Sequence, residues 1–451
     1  MRTETVAVKS VAPHLLRQIP DDSGTVLVFG APQGLARAVK LSGRARTVIC
    51  ACPAGTGGMP HGDAVPDRII ELDLENPGLH MPAMAADCVL FDHALEAVSD
   101  PVALLRAATE ALAPNDRARI LAVIANMQHF QRLKALLRGD YQLGDWGSGP
   151  VGEKHPFAYS NVYKTFLDAG LWVDRFDRHI PDMCDDDLWQ GLAAGVGAAR
   201  GEAPYMQRHI LARDFIVSAG PIAWLKDVGT HRRGLTFAVA TNDPMQLKAN
   251  FRQSPLFRAH TDRFETLVYE RAQNAPQVIA DAVARARHDI VVWVHQDVYL
   301  PHFWADRFLD QWQDAERQFG PIGVAGIFGA RRKNGDRDLV GSVVDRFLAG
   351  THGGPLPARV DTLDEIVLAF NKNRPLQLDP ALGWHFYGSD AGFKAARDGR
   401  AAVVLEAPAY HNSLTGKTLP DAYFDSMRHL CALYPDELPI AASTRLVTGA
   451  A

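Results

Sequence analysis

Short apolar runs alternate with amphipathic stretches along most of the chain. In the first half, residues 25–30 (TVLVFG), 47–52 (TVICAC), 68–74 (RIIELDL), 86–92 (ADCVLFD) and 118–126 (ARILAVIAN) read as strands. Stretches 34–42 and 100–113 between them carry helical spacing. Residues 161–177 add a helix and a strand, and 210–220 (ILARDFIVSAG) a closing strand. The pattern restarts at 234–243 (GLTFAVATND), continues through a helix at 276–287 and a strand at 289–297 (DIVVWVHQD), and then gives a long amphipathic helix at 303–320 and strands at 321–329 and 402–411. Such alternation predicts an α/β protein with mostly parallel sheets and helices on both faces. Both patterns break at 221–234, where Pro, Gly and charge accumulate, so domains are expected over 1–225 and 230–451.

A chain of 451 residues is too long for one ordinary core, which agrees with two domains. Hydrophobic residues at 47% and charged residues at 22% are ordinary for a globular protein. A net charge of -5 gives no reason to expect nucleic acid as a partner. The five cysteines (50, 52, 88, 184 and 431) form no CxxC pair and read as reduced, buried thiols of a cytoplasmic protein. The amino-terminal residues lack an apolar leader core, and no run approaches the ~18–20 apolar residues of a membrane span, which leaves only peripheral contact with a membrane surface.

The strand VVWVHQD ends in an imidazole and a carboxylate. Ligands of open parallel sheets sit at the carboxyl ends of strands, and side chains two apart on an extended chain point the same way. His295 and Asp297 are therefore candidates for one divalent cation, Mn²⁺ or Mg²⁺. Downstream, GWHFYGSDAGFKA supplies Trp384, His385, Tyr387 and Asp390, and VLEAPAYHNS ends in His411. Taken together, 234–415 resembles the family 2 nucleotide-sugar glycosyltransferases of GT-A fold. In that resemblance the HQD sequence stands for the family's Asp-x-Asp. It implies that Asp297, His295 and His411 hold the metal, that Asp390 accepts the acceptor's proton, that Asn242, Asp243 and Asn274 meet the donor, and that Trp384 and Tyr387 stack on the acceptor. The implied reaction is inverting transfer from a nucleotide-sugar donor to a glycan or glycoprotein.

Segment 24–220 resembles class I S-adenosylmethionine-dependent methyltransferases, most clearly over LDLENP (72–77), 88–126 and DFIVSAG. Gly30, Gly34 and Asp73 are the cofactor contacts this implies. The first turn, VFGAPQGLA, departs from the family's acidic glycine-rich turn. Pro32 removes an amide donor, and the second strand ends in Cys50-Ala51-Cys52 where an acid would take the ribose. A degenerate domain that serves packing, acceptor binding or assembly is expected. The whole chain then reads as two Rossmann-like three-layer domains, and the alternatives are a bifunctional methyltransferase–glycosyltransferase and a non-catalytic scaffold of two decayed enzyme folds.

Overall fold

The computed structural model describes residues 13–53, 66–76, 84–115, 117–139, 153–180, 191, 194, 209–259, 262–345, 349–413 and 419–449. Cys184 and the acidic run around it lie outside the described residues. The chain divides into two compact units, Met1–Ala223 and Trp224–Ala451.

The first unit is a Rossmann-like α/β domain. Its strands are β1 (Ser23–Phe29), β2 (Ala45–Pro53), β3 (Arg68–Leu72), β4 (Cys88–Asp92), β5 (Arg119–Ala125), β6 (Leu171–His179) and β7 (Asp214–Pro221). They form one sheet in the order β3-β2-β1-β4-β5-β7-β6. The first five strands are parallel, and β7 enters antiparallel between β5 and β6. Strand order reverses between β1 and β4, where the crevice of an open sheet lies. Side chains alternate across the sheet. Val26, Val28, Cys50, Cys88 and Leu90 share one core, while Phe29 and Phe91 stack on the other side at 4.8 Å. Burial pushes the Cys50 thiol up to about 12, with Cys52 and Asp92 adding to the shift. That agrees with inert core cysteines rather than reactive ones.

Among its described residues the second unit has two main sheets and a two-stranded ribbon that pairs Ile440–Ala441 with Leu446–Val447. The larger runs β16-β19-β12-β18-β10-β8-β9. Its strands in chain order are β8 (Thr236–Thr241), β9 (Glu265–Glu270), β10 (Ile290–Val294), β12 (Ile322–Gly326), β16 (Ala358–Arg359), β18 (Val367–Asn371) and β19 (Ala401–Val404). The smaller joins β11 (Val298–Tyr299), β13 (Phe328–Lys333), β14 (Asp336–Asp345), β15 (Ala349–His352), β17 (Thr362–Leu363) and β20 (Tyr410–His411). Strand β10 is buried throughout. Its Ile290, Val292 and Val294 pack with Trp304, Phe308 and Trp312 of the helix Trp304–Phe319. Val291 and Trp293 face the opposite core with Ile279 and Tyr387, from the helices Ala275–Arg285 and Tyr387–Arg397. A central strand with helices on both faces makes three layers, and each such buried side chain contributes roughly 1.5–3 kcal/mol.

Two expected strands split. The run 321–329 becomes β12 and β13, which lie in different sheets, and 402–411 becomes β19 and β20, also in different sheets. Pro408 interrupts the second run and removes a ladder donor. Each split carries the chain from the buried sheet to the smaller one that flanks the candidate site.

Candidate functional site

The expected strand through Asp297 stops at Val294, and a turn follows in which the Val298 amide donates to the His295 carbonyl at 3.2 Å. His295 and Asp297 are thus brought together by a turn, not by a pleat. Beyond it, β11 pairs antiparallel with β20, setting Val298 opposite His411, and the Asn412 amide donates to the Asp297 carbonyl at 2.8 Å. One ligand atom each from His295, Asp297 and His411 then lies within 4.8 Å of the others. The three line a cavity of about 450 Å³ together with Asn242, Arg271 and Trp384.

His411 sits between two carboxylates. Its Nε2 is 3.3 Å from Asp297 Oδ1, and its Nδ1 is 3.0 Å from Asp345 Oδ2. Burial alone would pull His411 down, but the two carboxylates outweigh it and hold it up at about 10. Burial would raise Asp297, and His411 reverses that, leaving it at about 2. His295 is lowered by burial, against the pull of Asp297, and its Nε2 lies 3.2 Å from the Tyr387 hydroxyl. In the tautomer that donates Nε2–H to Tyr387, Nδ1 keeps a free lone pair. The donor set fits a divalent cation: two imidazole nitrogens and one carboxylate, with Asp345 and Tyr387 engaging the opposite ring nitrogens as outer-shell partners do. Asp345 and Tyr387 both act here in roles absent from the sequence reading, and nothing in the linear pattern marks Asp345.

Gln296 lines the same cavity but spends its side chain on the end of β8. Its Oε1 accepts from Thr241 Oγ1 (2.7 Å) and from the amides of Asn242 (3.2 Å) and Asp243 (3.1 Å), and its Nε2 donates to Asn242 Oδ1 (2.7 Å). It ties the end of β8 to the end of β10. Asn242 therefore reaches the cavity, whereas Asp243 and Asn274 do not line it. Asp243 caps the helix Pro244–Ala249, and Asn274 caps Ala275–Arg285. Trp384 is 42% exposed and lines the cavity, while Tyr387 is fully buried and accepts from Trp293 Nε1 at 3.1 Å, which leaves it no face for a ligand to stack on.

Asp390 is not brought to the cluster. It is fully buried, and its carboxylate takes the Tyr434 hydroxyl at 2.5 Å, Lys394 Nζ at 2.9 Å and the Asp379 amide at 2.9 Å. The glycines on either side explain its segment differently. A Cβ at Gly388 or Gly392 would lie 2.2 Å from the carbonyl oxygen of Leu363 or Asp361, so GSDAGFKA is a helix pressed against β17. An acid beside Tyr387 that the sequence reading missed is Glu365, which accepts the Gly388 amide at 3.3 Å. Burial, reinforced by Asp364, pushes it up to about 8. Its signal was an acidic pair, Asp364-Glu365, opening the apolar run IVLAF.

In the first unit, Gly30 and Gly34 form the turn after β1, and both face Asp92 from the end of β4. A Cβ at Gly34 would stand 2.6 Å from Asp92 Oδ2, which accepts the Leu35 amide at 3.2 Å. Burial raises Asp92. Asp73 is exposed and folds onto its own turn, accepting the Glu75 amide and the Asn76 side chain. Cys50 and Cys52 are buried, so the end of β2 offers no acid to a ribose.

No protein-family profile matches the chain, and no curated protein does. Solved structures do. An S-adenosylmethionine-dependent methyltransferase from Mesorhizobium loti aligns at 16% identity and TM-score 0.31, over 47% of this chain and 99% of that one. A methyltransferase of the same cofactor class from Thermotoga maritima aligns at 13% identity and TM-score 0.31, over 48% and 89%. Mitomycin 7-O-methyltransferase aligns at 16% identity and TM-score 0.32, over 48% and 54%. At such identities and scores these are likenesses only, and they assign no activity. The expected nucleotide-sugar glycosyltransferase is corrected here. The family's Asp-x-Asp is broken by His295, and the carboxylate expected as proton acceptor, Asp390, is sealed in the core. The nucleotide-sugar donor and the glycan acceptor are implied by that resemblance alone. No helix among the described residues is long and apolar enough to cross a membrane.

Proposed function

We propose that the second unit is a divalent-cation centre acting on a small anionic ligand. The observation that carries this is the convergence of His295, Asp297 and His411 on one point in the wall of a cavity. A bound divalent cation would supply a Lewis-acid charge that binds and polarises an anionic oxygen. The chain's own residues do the rest. Asp345 holds His411 so that Nε2 faces the point of convergence. Tyr387, fixed by Trp293, orients His295. Gln296 holds Asn242 at the rim, and Arg271 adds a positive charge to the wall. The test is titration calorimetry of the full chain with Mn²⁺ and with Mg²⁺. One equivalent should bind to the native protein and none to Asp297→Ala. Absence of binding heat with both ions, in a protein that melts cooperatively, would sink the proposal.

A second reading concerns the first unit. Methyl transfer from S-adenosylmethionine is favoured by the strand order, with β7 antiparallel, and by the half-buried Asp92 over the Gly30–Gly34 turn, which suits a cationic ligand. Cys50 and Cys52 oppose it, because the ribose side lacks its acid. Melting with S-adenosylhomocysteine discriminates. A shift that Asp92→Asn abolishes supports the reading, and no shift at millimolar ligand rejects it.

A further inference from the structure

The first unit carries a second group of titratable side chains, separate from the cation centre and adjoining the Asp92 of the second reading. It starts at the residue after β4, the strand beside the point where the sheet order reverses. His93 stands there in a left-handed conformation, with φ of 52°. A non-glycine residue in that region is strained, and such strain persists where the surroundings over-determine it. Here the surroundings are the Val123 carbonyl, which takes the His93 amide at 3.1 Å, and Glu96, whose Oε1 lies 3.1 Å from His93 Nδ1. The Glu96 side chain is 2% exposed. Its Oε1 also accepts the Ala125 amide at the end of β5, and its Oε2 is buried with no hydrogen-bond partner among the described residues. The His93 side chain, by contrast, is 41% exposed.

A buried carboxylate on Nδ1 fixes one tautomer. Nδ1–H points to Glu96, and the Nε2 lone pair is left for whatever occupies the crevice. We propose that His93 is a proton acceptor toward a hydroxyl-bearing ligand at the carboxyl edge of β4, with Glu96 as its positioning residue. In the step, the ligand's O–H bond breaks, an N–H bond forms at Nε2, and the electron pair stays on the oxygen. The dyad ends as an imidazolium beside a carboxylate. Three carboxylates face the ring: Glu96, Asp214 from the start of β7 and Asp92 from β4. Burial lowers the imidazole, and these three reverse the shift, Glu96 most, to about 9. The acceptor is therefore strong, and it is charge-free only on the alkaline side.

Diethyl pyrocarbonate attacks the unprotonated imidazole, so site-resolved labelling of the full chain reads His93 directly, with the exposed His352 as internal reference. Between pH 6 and 10 the His93 rate should rise through a midpoint near 9, and Glu96→Gln should move that midpoint down by at least one pH unit. Catechol or glycerol, as aromatic and aliphatic hydroxyl probes, should protect His93 and leave His352 labelled. Three results overturn the proposal: no label on His93 while His352 reacts, a midpoint that Glu96→Gln leaves in place, or no protection by either probe. Should Glu96→Gln not fold, the ¹⁵N shifts of the native His93 ring decide. A ring protonated at Nδ1 above the midpoint supports the dyad, and one protonated at Nε2 refutes it.

Discussion

The carboxyl ends of the two large sheets are furnished with the same residue types to opposite effect. After β10, two histidines and an aspartate turn toward one point and leave it open to a cavity. After β4, Asp92, His93 and Glu96 turn mainly toward the protein: one closes a glycine turn, one takes a strand-end amide, and only the imidazole looks out. A polar residue at the end of a buried strand thus marks where chemistry is available. Whether it becomes a ligand set or an internal network depends on what the neighbouring strand presents. Beyond β10 the chain turns into β11, which pairs with β20 and its His411, and beside β4 lies the amide edge of β5.

The comparison breaks most sharply at Asp297. Asp297→Ala should lower Mn²⁺ affinity by more than ~100-fold, beyond the 10- to 100-fold range of outer-shell changes, while the protein still melts cooperatively. Calorimetry and a melting curve check both halves. Next is Asp345→Asn, which keeps the shape but weakens the hold on His411 Nδ1. About 10- to 100-fold of affinity should go, with coordination still detectable. Asp390→Ala is the converse case. It leaves the Tyr434 hydroxyl buried without its acceptor, so a loss of roughly 1–3 kcal/mol in denaturant unfolding is expected, with Mn²⁺ affinity unchanged. Last comes a pH effect. Glu365 holds its proton up to about 8 in the folded chain, against an ordinary value of 4.5. Between those values the folded state binds more protons than the unfolded one, so this group's contribution is complete below pH 4.5 and is lost as pH rises through 8. Unfolding at pH 5 and pH 8 should show a decline that Glu365→Gln flattens.

Much of this was readable in the chain. The apolar run of β10 announced a strand buried on both faces, and the HQD that follows it announced a polar strand end. Asp243 and Asn274 were readable in a way the functional assignment obscured. Asp243-Pro244 opens a helix, and Asn274-Ala275-Pro276 does the same, so both carried the capping signature. The pair Asp92-His93 at the end of the apolar run CVLF is the same kind of polar strand end as His295, but the sequence does not show which of the two side chains turns outward. Asp345 could not have been found, since it meets His411 across 66 residues through a parallel pairing of β14 with β20 that no local pattern encodes. Asp390 misled for a related reason. Its helix shows which side is apolar but not that Tyr434, 44 residues later, closes over it.

The two-residue period of β10 has one more consequence. Its odd and even positions belong to different cores, and the turn that brings His295 to Asp297 follows directly from its last residue. Removing one residue from 290–294 would therefore do more than shorten a strand. It would exchange the side chains of the two cores and shift the turn against β20, so that His295 and Asp297 no longer meet His411. Point substitutions can erode this site by degrees, whereas a single in-frame codon deletion would dismantle it in one event.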